Sequence, residues 1–133
     1  AALPAMQAQK WGRIVFVSSM VARDGGGFGA CHYAAAKAGM LGLARSLARE
    51  VALHNITINS VTPGSIDTDI LKGRTTTRGG KDVEAYQRER VAKTPLGRLG
   101  SAADVADAIH YFATRGDFST GAVIDVNGGR FMG

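Results

Sequence analysis

Four consecutive apolar residues, Ile14, Val15, Phe16 and Val17, stand between Gly12-Arg13 and the pair Ser18-Ser19. Successive side chains of a strand point to opposite faces, so an unbroken apolar run needs apolar cover on both. Sheets wet on one face alternate apolar with polar instead. The run therefore predicts a strand over Arg13–Ser19 buried on two sides, as in a parallel sheet flanked by helices.

The rest of the chain fits that frame. Residues 1–10 have the Ala, Leu and Met recurrence of a last helical turn, with Gly12 as a stop. Ala22 to His32 is glycine-rich and is expected to be a loop. Tyr33 to about His54 is predicted helical, and its many alanines and glycines suit close packing. Asn55–Val61 is a second strand, ended by Pro63-Gly64. A polar stretch from Asp67 to Gly80 is expected to be a loop. Asp82–Lys93 is expected to be a short helix closed by Pro95, and Ala102–Ala113 a further one with Ser101 as N-cap and Asp104 in its first turn. Gly121–Val126 completes three strands. This alternation implies α/β architecture, a parallel sheet with right-handed crossovers.

With 133 residues, 45% of them apolar, the chain is one domain in size and too hydrophobic for disorder. Sixteen Lys and Arg against eleven acidic residues give a net charge of +5. The basic residues are scattered singly, which supplies no focused stripe for nucleic acid. An anionic cofactor or an acidic carrier protein accounts for the sign equally well. No apolar run reaches the ~18 residues that cross a bilayer, and AALPAMQAQK lacks a signal-peptide core. The lone Cys31 excludes an internal disulfide, and with it the chain reads as a reduced, cytoplasmic protein. A small buried or loop thiol accounts for Cys31 better than a nucleophile, and His54 and His110 have no metal-ligand partners in the pattern.

Tyr33 and Lys37 lie one helical turn apart, on one face. Such a pair alone is a weak signal, equally an aromatic ring packed on a lysine stem. Its setting adds weight: Tyr33 opens a helix beside the C-terminal end of a buried parallel strand, where open α/β sheets bind ligands. Ser19 ends that strand and can face Tyr33 across the loop, whereas Ser18 points to the other face.

The blocks GRIVFVSS, YAAAKAGMLGLARSLARE, ITINSVTPGSIDTD, RLGSAADVADAIHYFA and TGAVIDVNGG resemble, in order and spacing, the C-terminal half of the short-chain dehydrogenase/reductase family. The nearest resemblance is to the β-ketoacyl-[acyl-carrier-protein] reductase branch, though hydroxyacyl, steroid and sugar dehydrogenases share the blocks. The resemblance implies an NAD(P)(H)-dependent interconversion of carbonyl and alcohol. Tyr33 is then the acid/base, Lys37 stabilises its phenolate and holds the nicotinamide ribose, and Ser19 binds the substrate oxygen. An unperturbed tyrosine titrates near 10, about 1.4 kcal/mol per unit from a useful base. Pro63-Gly64-Ser65-Ile66-Asp67-Thr68 resembles the family's nicotinamide-binding turn, with contacts from the Ile66 backbone and the Thr68 hydroxyl. Residues 67–95 resemble the substrate lid, where Leu71 and Tyr86 are possible contacts but apolar packing is the expected role. His32 is expected at the entrance, and Asn59 as an organiser of the sheet.

The family's N-terminal nucleotide-binding half is absent from the pattern. No TGxxxGxG turn precedes the first strand, and residues 1–18 hold no asparagine for the family's catalytic position. Gly25–Gly29 does not satisfy G-x-G-x-x-G, because position 32 is His32. The expected architecture is therefore a single partial Rossmann-like unit over residues 1–133, three strands with flanking helices, using NADP(H) or NAD(H) with no readable preference. The resemblance implies a small-molecule or acyl-thioester carbonyl as substrate, with acyl carrier protein as a candidate partner. A strand at Arg13–Ser19 left without a neighbour exposes an edge, so self-association is expected. The row Ala34, Ala38, Gly42, Ser46 permits it, as do the family's homo-oligomers. The alternative is a non-catalytic chain that pairs with itself or with a full-length relative.

Overall fold

The computed structural model describes residues 1–69 and 83–133. In chain order it contains α1 (Leu3–Gln9), β1 (Gly12–Val17), α2 (Val21–Asp24), α3 (Cys31–Val51), a 3-10 turn (Ala52–His54), β2 (Ile56–Pro63), α4 (Val83–Ala92), α5 (Ala102–Thr114) and β3 (Val123–Val126). The strands form one sheet in the order β1-β2-β3, and both pairings are parallel. The polar 67–80 segment and Leu71 fall largely or wholly outside the described residues.

β2 is central, and every residue from Ile56 to Thr62 is buried. On one face Ile56 and Ile58 pack with Ala44, Ala48 and Val51 of α3, with Ile14, Phe16, Leu3 and Met6 at the margin. Leu41, Ala44, Ala48 and Val51 recur at three- and four-residue steps, the stripe by which a helix lies on a sheet. Side chains of the other parity face α5. Arg13 pairs with Asp117 just beyond α5 at 2.9 Å, and the Asn59 amide donates to Ser119 O at 2.7 Å. Helices thus cover both faces, and the doubly wound arrangement expected from the apolar run is present.

Three local expectations need correction. β1 is not fully covered: Ile14, Val15 and Phe16 are half-buried and Val17 is 43% exposed. Its register runs from Gly12↔Ile56 to Val17↔Val61 on one side, and it is the sheet's edge on the other. The flanking helices close over β2 more completely than over that edge. Gly12 is not the stop of α1, which ends on Lys10 in the left-handed conformation. Gly12 is there for space, since a Cβ would stand 2.6 Å from Met6 Sδ. The supposed loop from Ala22 contains the helical turn α2, closed by Gly25 at φ +76°, and α3 begins at Cys31, before Tyr33.

α5 starts with the expected cap, and the structure makes it reciprocal. Ser101 Oγ accepts from Asp104 N at 3.1 Å, while the Asp104 carboxylate accepts from Ser101 N at 2.7 Å. Arg98 grips the same carboxylate through two nitrogens, at 2.9 and 3.1 Å. Hydrogen bonding from Arg98 first, then from Ser101, holds the Asp104 carboxyl well below its ordinary 3.8. A lowered folded-state value stabilises fully above 3.8 and ceases to do so as pH falls below it. The melting-temperature gap between wild type and Asp104→Asn is therefore expected to be widest near neutrality. It should begin to narrow below about pH 4 and shrink progressively on further acidification, as thermal melts across pH will measure.

Candidate active site

Beyond β1 the parallel pairing continues through Ser18 N to Val61 O and Met20 N to Pro63 O, both at 2.9 Å. Ser18 and Ser19 therefore emerge at the C-terminal end of the sheet with fixed and opposite orientations. Ser18 Oγ donates to Lys37 O at 2.8 Å, fastening α3 to the strand end. Ser19 is buried, and its Oγ accepts from Val21 N at 3.3 Å. Lys37 Nζ donates to Val17 O at 2.9 Å and lies 5.8 Å from the centroid of the Tyr33 ring. One turn of α3 thus directs both Tyr33 and Lys37 at the end of β1.

Ser19, Tyr33, Pro63, Gly64, Ile66 and Thr68 meet around a single cavity of about 150 Å3. Lys37 stands outside that lining, at Val17 O and beside the tyrosine ring. A larger adjoining cavity of about 530 Å3 runs past Gly26, Gly27, Gly29 and His32 and shares Tyr33. His32 is exposed and borders that larger cavity.

The turn after β2 is held closely. Gly64 N donates to Val126 O at 2.9 Å, and a Cβ on Gly64 would approach Asn127 Cα to 2.8 Å. Two backbones meet there, so neither can yield without moving a strand end. Gly64→Ala is expected to destabilise the chain by about 1–3 kcal/mol, read as a drop in melting temperature. Ile66 bridges Gly100, but the bonds run from Gly100 N to Ser65 O (3.0 Å) and from Asp67 N to Gly100 O (2.8 Å). Such a parallel bridge leaves the N–H and C=O of Ile66 itself pointing away from Gly100. A carboxamide requires one acceptor and one donor, and a peptide with both groups turned from Gly100 has them to offer. The turn therefore fits the nicotinamide end of a dinucleotide.

Two charged side chains that the sequence did not single out, Arg90 and Arg130, also line the cavity, beside Ser65 of the turn. Arg130 Nη1 donates to Ser65 Oγ at 2.6 Å. Burial, and next the charge of Arg90, pull the Arg130 guanidinium below its ordinary value. Arg90 donates to the Tyr86 hydroxyl at 2.6 Å and lies 4.6 Å from that ring's centroid. Tyr86 is both buried, as expected of packing, and part of the cavity wall. Positions 90 and 130 are joined only by the fold, so no spacing could have paired them. Among the described residues no group of three or more His, Cys, Asp or Glu gathers, and no helix is long and apolar enough to cross a membrane.

Ser19 and Tyr33 thus border one cavity with the Pro63-Gly64 turn, and Lys37 lies beside the Tyr33 ring. A family model described as enoyl-(acyl carrier protein) reductase matches residues 1–130. The chain belongs to the short-chain dehydrogenase/reductase family. It is 41% identical over 133 residues to the 3-oxoacyl-[acyl-carrier-protein] reductase FabG of Pseudomonas aeruginosa, covering 99% of this chain and 50% of that protein. An uncharacterized short-chain type dehydrogenase/reductase of Sinorhizobium fredii is 46% identical over 133 residues, covering 98% of this chain and 49% of the relative. The FabG of Escherichia coli K12 is 42% identical over 134 aligned positions, covering 99% of this chain and 51% of that protein. The chain thus spans about half the length of the curated relatives it matches. In three dimensions it resembles YwfH, an NADPH dependent reductase involved in bacilysin biosynthesis. The TM-score is 0.90 at 23% identity, over 99% of this chain and 52% of YwfH, and that likeness concerns the fold.

Proposed function

We propose that this short-chain dehydrogenase/reductase chain carries the proton-handling, nicotinamide-facing part of an NAD(P)(H)-dependent oxidoreductase that interconverts a carbonyl and an alcohol. One observation carries the reading: Ser19, Tyr33 and the Pro63–Thr68 turn border the same cavity. A nicotinamide held against that turn would supply the hydride for the carbonyl carbon. Tyr33 donates its phenolic proton to the carbonyl oxygen during reduction and takes it back in oxidation. The Lys37 ammonium, 5.8 Å from the ring, favours the negative charge left on Tyr33. Ser19 Oγ accepts from Val21 N, which fixes the oxygen while leaving its own proton available to the substrate oxygen. Pro63, Gly64, Ile66 and Thr68 position the nicotinamide ring. Lys37 Nζ spends one of its three donors on Val17 O, which leaves two for the adjoining ribose.

The names of the curated relatives support a 3-oxoacyl thioester, carried on acyl carrier protein, as the substrate class. A cytoplasmic homo-oligomer is part of the same reading, with the exposed run Ala38, Gly42, Ser46 of α3 available for close packing. The test is consumption of NADPH or NADH by the 133-residue chain with a 3-oxoacyl thioester, with Tyr33→Phe beside it. A wild-type chain that consumes neither cofactor would favour the alternative, a non-catalytic partner of itself or of a full-length relative.

A further inference from the structure

Two guanidinium groups face the cavity from different parts of the chain, Arg90 from α4 and Arg130 from the segment after β3. They also line the larger adjoining cavity. Like charges placed together repel, and the proximity of Arg90 adds to the burial that lowers the Arg130 pKa. Arg130 has a neutral partner in Ser65, and Arg90 has one in Tyr86. Arg90 Nε is buried and, among the described residues, has no hydrogen-bond acceptor. A buried, unsatisfied donor of a charged group is costly, and a purely structural stacking of Arg90 on Tyr86 leaves it unexplained.

We propose that Arg90 and Arg130 recognise a carboxylate carried on the same molecule as the reacting carbonyl, so that the substrate class is an oxo acid. The inference rests on the carbonyl-redox reading of Tyr33 for what reacts, but not for what binds. Three properties of the site point to it. Guanidinium groups present planar donor forks that match a carboxylate and pair with it through charge-assisted bonds. The titratable groups lining the larger cavity include Arg90, Lys93 and Arg130 against Asp24 and Glu89. That leaves one net positive charge there, and the smaller cavity, lined by Arg90 and Arg130 with no acidic residue, carries two, so both attract an anion. Tyr33 and both arginines border the cavity of about 150 Å3 and the adjoining one of about 530 Å3 alike. A molecule seated in the smaller cavity would hold carbonyl and carboxylate only a few bonds apart, and the larger one admits a longer chain.

The shared chemistry has two sources, a free oxo acid or an acyl thioester whose chain ends in a carboxylate. Binding is measured by titration calorimetry on the full 133-residue chain, so no turnover is required. The probes are 4-oxopentanoate against its methyl ester, and 3-oxoadipyl-pantetheine thioester against its terminal methyl ester. The acid is expected to bind roughly tenfold or more tightly than its ester in at least one pair, and the pair that discriminates names the source. Arg90→Met and Arg130→Met should each remove that preference while leaving the ester's affinity within about twofold, which also reports that the variant is folded. Tyr33→Phe should retain the preference. Acid and ester bound alike, neither bound, equal losses for both in the arginine variants, or tighter binding of inorganic phosphate than of either acid would overturn the proposal. Retained selectivity without any NAD(P)H consumption would instead sink the redox reading and leave this one standing.

Discussion

Replacing Tyr33 by phenylalanine is expected to lower kcat by roughly a hundred- to ten-thousand-fold, the range that a positioned general acid contributes. The substitution removes one oxygen and keeps the ring, so the half-buried packing of α3 on the strand end is retained. Phenylalanine has no proton to give to the carbonyl oxygen, and water is a poor substitute at a crowded wall. Binding changes little because Ser19 still offers its hydroxyl, so the loss falls on kcat and much less on KM. Cys31→Ser is the control: the thiol is exposed two residues away and borders neither cavity, so activity should be unchanged. The comparison is made by initial rates of NAD(P)H consumption with a 3-oxoacyl thioester. A Tyr33→Phe chain as active as wild type would remove Tyr33 from the mechanism.

The fold was readable because its signals are local. The apolar run at Ile14–Val17 needed cover on both faces, and the small residues Ala44 and Ala48 are where α3 lies against the sheet. Ser101 and Asp104 announce the start of α5 by their spacing alone, and the reciprocal bonds are present. Exposure of β1 was harder to foresee in degree, because burial depends on neighbours that the strand's own residues do not specify. The site divides along the same line. Ser19, Tyr33 and the Pro63–Thr68 turn each lie within a continuous block whose order is recognisable, and the fold brings those blocks to one cavity. Arg90 and Arg130 belong to no block. Arg90 sits in a helix rich in charged residues, and Arg130 follows two glycines near the end of the chain, so only three-dimensional proximity reveals them. Gly64 teaches a related lesson. Its place after Pro63 suggests turn chemistry, yet the demand comes from Asn127, far along the chain.

Asn59→Leu is expected to destabilise the chain by about 2–5 kcal/mol, the cost of orphaning buried polar groups. Asn59 is fully buried in the centre of β2, and its amide does two jobs with both ends. Nδ2 donates to Ser119 O at 2.7 Å, and Oδ1 accepts from Ala122 N at 3.0 Å. Neighbouring bonds from Gly121 N to Ile58 O (2.7 Å) and from Ser60 N to Ala122 O (2.9 Å) show that this segment is being laid onto β2 before β3 formally begins. Leucine is close in size, so the loss comes from an unpaired Ser119 carbonyl and an unpaired Ala122 N–H beside the buried centre of β2. For a domain of this size the fall in melting temperature should be roughly 10–20 °C. Asn59→Asp separates the two halves of the interaction: it can still accept from Ala122 N but cannot donate to Ser119 O when ionised. It is therefore expected to be destabilised too, by an added carboxylate in the core as well as by the lost donor. The consequence reaches the site, because β3 leads directly to Asn127 and Arg130. Hydrogen exchange at Ala122 N should accelerate in both variants, and melting temperatures within a degree or two of wild type would show that the amide is not what holds β3 in place.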